Sequence, residues 1–289
     1  MEYFAPVEFA ENWDNVGFLV GNEQDDVGKI LLCVDATNDV LEEAIKKEVD
    51  MIISHHPFIF YTSKRIVSSD PKGANIIELL KNGISVYSAH TNLDGIKFGI
   101  NTALAEKIGL KELRGVHAEN KFVNYKEQPP GNIDANHNIH GTAGEAVHDK
   151  YNAEYQGLAV IGEFDGEMGL LDLVGHIKRE LEVDSIKYIG SKDIKIKTMA
   201  VFCGSFYGET GDVGKLNVDA ILTGDLKYNE AIEFKNMGLP VIAAGHYETE
   251  RIILPFLQDI LFETFKDDGV DVIISENEAS PYISFEKLK

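Results

Sequence analysis

Three short stretches of the chain concentrate imidazole and carboxylate: His55-His56-Pro57, His90 with Asp94, and His246 with Glu250. Adjacent histidines in an irregular turn aim their rings in different directions, so they serve two neighbouring metal ions more readily than one. Pro57 stiffens that turn by fixing its own φ and restricting the residue before it. In the other two stretches a four-residue gap separates imidazole from carboxylate. If the segment after Gly245 turns helical, His246 and Glu250 lie on one face, one turn apart, where they can chelate one ion or bridge two. The donors are nitrogen and oxygen without a thiolate, which suits Zn, Fe, Mn, Ni or Co and disfavours a structural cysteine-type zinc site. Taken singly, each pair also fits a structural role. Together they predict a dinuclear site holding two divalent metal ions per chain.

All three stretches begin where an apolar strand ends. Lys29 to Val34 reads as a buried strand, 38–47 as a helix with Val40, Leu41, Ala44 and Ile45 on one face and Asn38 or Asp39 as its cap. Val49 to Ile53 reads as a second strand, Gly73 to Lys81 as a helix, and Ile84 to Ser88 as a third strand. Strands separated by helices of this length imply parallel pairing. The pattern recurs: a shift of 169 residues lays KILLCVD (29–35) on TMAVFCG (198–204) and VDMIISHH (49–56) on VDAILTGD (218–225). A shift of 156 lays His90 and Asp94 on His246 and Glu250. An α/β protein follows, with two pseudo-symmetric lobes, mainly parallel sheets and the metal site in the cleft between the lobes. The expected division is 1–112 for the first lobe, 113–156 for a loop insertion, 157–239 for the second lobe, and 240–289 for a segment returning to the metal site and first lobe. His137, His140 and His148 fall in the insertion, where nothing nearby supplies a closed ligand set, so they read as a polar surface loop.

Composition narrows the function classes. Among 289 residues, 27 Lys and Arg against 48 Asp and Glu leave a net charge of −21, which argues against general nucleic-acid binding and an anionic membrane surface. No apolar run is long enough to span a bilayer, and the first residues lack a secretory signal. Two cysteines, Cys33 and Cys203, each within an apolar run, exclude a disulfide framework and fit a reducing cytoplasm. The glycine-rich stretch Gly204 to Gly211 reads as a strand-to-helix turn or as an anion-facing one. Ser54 and Ser205 lack a base and orienter for a serine triad. Trp13 reads as a packing anchor placing Asp14 or Asn15 near the cleft, and His117 and His176 as incidental. Asp225 takes the repeat position of His56, and Lys64, Arg65 and Arg251 flank the motifs as a basic rim or as solvated surface.

The segments WDNVG (13–17), ISHHPFIF (53–60), SAHTNLDG (88–95), LTGDLKY (222–228) and AAGHYETER (243–251) occur in the order found in the GTP cyclohydrolase I type 2 homologues, the NIF-three-like family, which the chain resembles over nearly its whole length. That resemblance implies a dinuclear metal centre between two α/β lobes and self-assembly into toroidal hexamers. It places the metal ligands at His55, His56, Asp94, His246 and Glu250, with His90 beside them to orient a ligand or handle a proton. The chain departs from the family pattern in having Tyr228-Asn229 where Tyr-His is common, and in starting only a few residues before WDNVG, where the family usually has a full helix; the recorded start is expected to lie downstream of the native one, or the helix to be missing. Its 113–156 loop is intermediate in length. A metal-dependent hydrolase is the expectation, with Glu250 bridging the ions and His90 as the candidate proton shuttle; the family name implies that it opens the imidazole ring of GTP and releases formate. Two other readings are a metal-dependent phosphoesterase or amidohydrolase on another substrate, and a non-catalytic metal-binding or scaffold protein acting through its ring.

Overall fold

The computed structural model describes residues 1–61, 63–116, 155 and 157–283. They fall into two units, residues 1–93 with 254–279, and residues 94–116, 155, 157–253 and 280–283. Most of the expected 113–156 insertion, with His137, His140 and His148, and also His117, lies outside the described residues.

In the first unit a five-stranded sheet runs in the order β1-β4-β3-β2-β11. Its strands are β1 (Gly17–Val20), β2 (Lys29–Cys33), β3 (Met51–Ser54), β4 (Ser85–Ser88) and β11 (Asp271–Ile274). Strands β2, β3, β4 and β11 pair in parallel, and β1 closes one edge antiparallel to β4. Leu31, Leu32, Ile52 and Val86 are fully buried, as expected of strands covered on both faces. The crossover helix α1 (Asn38–Lys46) buries Val40, Leu41 and Ala44. Its cap is Thr37, not Asn38 or Asp39: Thr37 is extended, and its hydroxyl accepts from the Val40 amide. Helix α2 (Pro71–Lys81) starts two residues before the expected Gly73, because Asp70 caps it and Pro71 fits the first turn. A short helix α3 (Thr91–Asp94) follows β4. Residues 254–279 carry most of α9 (Ile253–Phe265) and then β11, which lies against β2.

The second unit has helix α4 (Ile100–Lys107) and a six-stranded sheet in the order β5-β6-β8-β9-β10-β7. The strands are β5 (Lys111–Gly115), β6 (Val160–Gly169), β7 (Lys187–Ile189), β8 (Lys195–Ser205), β9 (Ala220–Asp225) and β10 (Val241–Ala243). Helices α5 (Leu170–Glu180), α6 (Thr210–Val213), α7 (Tyr228–Met237) and α8 (His246–Glu250) alternate with them. Parallel pairing governs β8, β9 and β10, where α6 and α7 make the crossovers. The margins β5, β6 and β7 stand outside that alternation and pair antiparallel, so this sheet is mixed.

The two units repeat one another in detail. Before β3, Asp50 Oδ2 accepts from the amides of Gly28 (2.8 Å) and Lys29 (2.7 Å), tying the start of β2 to the start of β3. Before β9, Asp219 Oδ2 accepts from the amides of Lys197 (2.9 Å) and Thr198 (2.8 Å) in the same way. At the other end, Ser54 Oγ donates to the His56 carbonyl and Thr223 Oγ1 to the Asp225 carbonyl. These matched bonds join residues at the same 169-residue offset that aligns the apolar strands.

Candidate metal centre

The first set of donors grows from the carboxyl end of β3. The His55 and His56 amides donate to the Cys33 and Val34 carbonyls, carrying the ladder past the strand. Ser54 Oγ then bonds both the His56 carbonyl and Ser88 Oγ, and Ser88 Oγ accepts from the Phe58 amide, which locks the turn around Pro57. In that turn the two ring centroids lie 5.0 Å apart, with their planes 41° from parallel. His90, just after β4, joins them with its centroid 5.1 Å from His55 and 5.4 Å from His56. One ring nitrogen from each of the three lies within 4.8 Å of the others.

Each of these rings is fixed through Nδ1. His55 Nδ1 lies 2.8 Å from the Ala89 carbonyl, which only accepts, so the proton of His55 sits on Nδ1. His56 Nδ1 donates to Asp35 Oδ1 at 2.8 Å, and His90 Nδ1 to Asp14 Oδ1 at 2.9 Å. An acceptor on Nδ1 leaves Nε2 as the lone-pair donor and raises its basicity, the arrangement that metal-ligating histidines adopt. The supporting carboxylates are themselves held. Burial raises the Asp14 pKa, but the bond and charge of His90 and the hydroxyl and amide of Thr91 outweigh it and bring it to about 2. Glu278 accepts from the amides of Val34 and Asp35, fixing the backbone that carries the Asp35 side chain. Burial first, and then the Asp35 charge, push the Glu278 carboxyl up to about 7, against the pull of those amides.

The second set lies in the other unit, beyond β10. Gly245 at φ +103° turns the chain, and a Cβ there would meet the Glu248 carboxylate at 2.1 Å. The five-residue α8 that follows puts His246 Nε2 3.2 Å from Glu250 Oε1, the one-turn spacing expected of the pair. His246 Nδ1 donates to Asp225 Oδ2 at 3.0 Å. With its proton on Nδ1, His246 turns Nε2 toward a carboxylate oxygen on the same helical face, where a shared cation would join the two. About 3 Å is also the separation of two donors on one tetrahedral ion. Asp94, at the end of α3, accepts from the Cys203 thiol, and Asn101 ties the Asp94 carbonyl to the Cys203 amide. Burial first, and then the charges of Asp94 and Glu250, push the Cys203 thiol up. Gly204, at φ +55°, lets the backbone run close under Glu250; a Cβ there would lie 2.1 Å from Oε1. The chemistry of both donor sets fits a divalent transition ion.

Sequence reasoning missed the supporting residues. Asp35 and Glu278 carry no motif, and Asp225, at the repeat position of His56, holds His246. Trp13 is 51% exposed and is no packing anchor; its neighbours do the anchoring, Asp14 on His90 and Asn15 on the Ile59 carbonyl. Arg251 does not form a basic rim, since it donates to the Leu181 carbonyl, whereas Lys64 and Arg65 are exposed. The Gly204 amide donates to Thr249 Oγ1 and so does not face an anion. His176 bonds the Ile108 carbonyl. Cys33 and Cys203 are both buried free thiols, and among the described residues no helix is long and apolar enough to cross a membrane.

Residues 1–281 match the family model described as Duf34/NIF3 (NGG1p interacting factor 3). The chain is similar to proteins named GTP cyclohydrolase 1 type 2 homolog. That of Clostridium acetobutylicum is 32% identical, with 98% of this chain and 95% of that protein covered. That of Clostridium perfringens is 33% identical, with the same coverage, 98% and 95%. Among solved structures, the Staphylococcus aureus protein SA1388 matches with a TM-score of 0.79 and 28% identity, over 98% of this chain and 96% of that one.

Proposed function

Because the chain belongs to the Duf34/NIF3 family, we propose that it is a metal-dependent hydrolase whose two divalent ions are bound by His55, His56, Asp94, His246 and Glu250. One observation carries the reading: His55, His56 and His90 each commit Nδ1 to a fixed acceptor and bring their ligand atoms within 4.8 Å. Divalent ions on such donors supply Lewis acidity and make water a usable nucleophile at neutral pH. Glu250, one turn from His246, is the carboxylate suited to bridge. His90 is suited to take and return a proton at Nε2, because Asp14 on Nδ1 fixes the orientation of its ring. By the name its relatives carry, the proposed reaction is water attack at C8 of the guanine of GTP, which breaks the C8–N9 bond and opens the imidazole ring to a formamide, after which a second water breaks the remaining C8–N7 bond and releases formate. The exposed Lys64 and Arg65 would offset the −21 charge toward an anionic substrate. Self-assembly into a ring is part of the same proposal.

Elemental analysis after anaerobic purification, paired with an assay of formate release from GTP, tests it. About two ions per chain are expected, and H246A and E250Q should abolish turnover while light scattering gives an unchanged oligomer. Fewer than about one ion per chain, with no gain on reconstitution, would overturn the metal reading. Full metal without any turnover of GTP or a broad ester and amide panel would overturn the hydrolase.

A further inference from the structure

We propose that Trp13 and Phe60 form a stacking subsite, beside His90, for a flat aromatic ring that carries a negatively charged group. Trp13 is 51% exposed and Phe60 39%, and hydrogen bonds of their sequence neighbours fix the backbone that carries both rings. Asn15 Nδ2 donates to the Ile59 carbonyl at 2.5 Å, fixing the residue before Phe60, while Asp14 next to Trp13 is held by His90 and Thr91. The Trp13 and Phe60 rings sit 6.1 Å apart at 50°, tilted against each other instead of stacked face to face. Trp13 also stands 6.0 Å from His90 at 76°, so a ring laid against it adjoins the imidazole cluster. Tyr61, 82% exposed, extends the aromatic edge 4.9 Å from Phe60.

Large aromatic side chains ordinarily bury most of their surface, and an exposed pair beside a polar cluster serves flat ligands that stack. The sign of the ligand follows from Lys64 and Arg65, two adjacent exposed cations on the segment after Tyr61 in a chain of net charge −21. A heteroaromatic phosphate combines the two features: the ring stacks on Trp13 and the anion meets the cations. The inference rests on the hydrolase reading for its ligand class and deepens it by assigning the residues that hold the ring, which lie outside the proposed metal ligands and have their own readout.

Trp13 is the one tryptophan of the chain, so its emission reports on its own surroundings. Full-length, metal-loaded protein is titrated with guanosine 5′-monophosphate, with ribose 5-phosphate and inorganic phosphate as ringless controls, by fluorescence and by calorimetry. Saturable quenching by the nucleotide alone is expected. W13F should retain calorimetric binding, whereas W13L and F60L should weaken it about tenfold or more, and K64E with R65E should weaken it further and flatten its salt dependence. Metal content is measured on every variant and is expected to stay at the wild-type level, so a failed metal site is separable from a failed subsite. Equal binding of ribose 5-phosphate, or unchanged nucleotide affinity in both W13L and F60L, would overturn the proposal. So would a lowered oligomer mass in W13L and F60L without a change in nucleotide affinity, since the rings would then be covered by a second copy of the chain.

Discussion

Asp225 accepts a hydrogen bond from Nδ1 of His246 at 3.0 Å, and it stands where the first repeat places His56. One repeat presents an imidazole at the end of its second strand; the other presents the carboxylate that orients an imidazole arriving from the next strand. Asp225 is largely exposed, so its loss should leave the fold intact. D225A is expected to weaken metal binding about 10–100-fold, as loss of such a supporting bond does elsewhere, with D225N falling between. Competition with a chromophoric chelator measures it, and an unchanged affinity in D225A would show that His246 needs no orienter.

Gly204 makes a sharper demand. Its φ of +55° and the 2.1 Å between a built Cβ and Glu250 Oε1 leave no room for a side chain. G204A should displace the Glu250 carboxylate, lower the metal content and cost about 1–3 kcal/mol of stability. Urea unfolding and elemental analysis read the two effects. Wild-type values for both would mean that the backbone shifts freely at this point.

Ions bound only by the folded chain stabilise it by mass action. Raising free metal to a thousand times its Kd should add about 4 kcal/mol against unfolding, visible as a concentration-dependent rise in Tm that a chelator reverses. H55A and H56A should abolish most of that rise. A Tm indifferent to chelator in the wild type would count against any tightly held ion.

Glu43 gives a pH prediction away from the donors. Burial works to raise its pKa, but bonds from Lys47, Ser275 and the amides of Glu276 and Asn277 prevail and bring it from 4.5 to about 2. A carboxyl whose folded pKa is depressed contributes stability that is complete above about 4.5 and is lost as pH falls toward 2. E43Q should therefore cost about 2 kcal/mol near neutrality, and its deficit should shrink between pH 4.5 and 2. Denaturant titrations across that range test the sign; a deficit that is constant with pH would refute it.

Much of this architecture is written locally. Continuous apolar runs such as Leu31 to Val34 and Ile52 to Ile53 announce buried parallel strands, and the recurrence of those runs announces the second unit. The His246–Glu250 pair was legible because a helical turn is a fixed spacing. The partners of the histidines were not, because they come from other strand ends: Asp14 lies 76 residues from His90, and Asp35 and Asp225 each lie 21 residues from theirs. Glu278, 243 residues beyond Asp35, reaches it only because β11 lies against β2. Trp13 was misjudged for the opposite reason, since its type suggests burial while the polar bonds of its neighbours hold it at the surface. The antiparallel margins of the second sheet escaped because β5, β6 and β7 carry no part of the repeat.

The Asp50 and Asp219 clamps sit at the amino ends of their strands, whereas every donor discussed above emerges at the carboxyl ends. Each repeat is thereby divided into a frame end and a working end that answer to separate demands. Mutation at the working end can exchange an imidazole for a carboxylate, as at His56 and Asp225, without loosening the bond that sets strand register. A duplicated unit of this kind can specialise one copy at a time, with its old anchorage intact while its chemistry is rewritten.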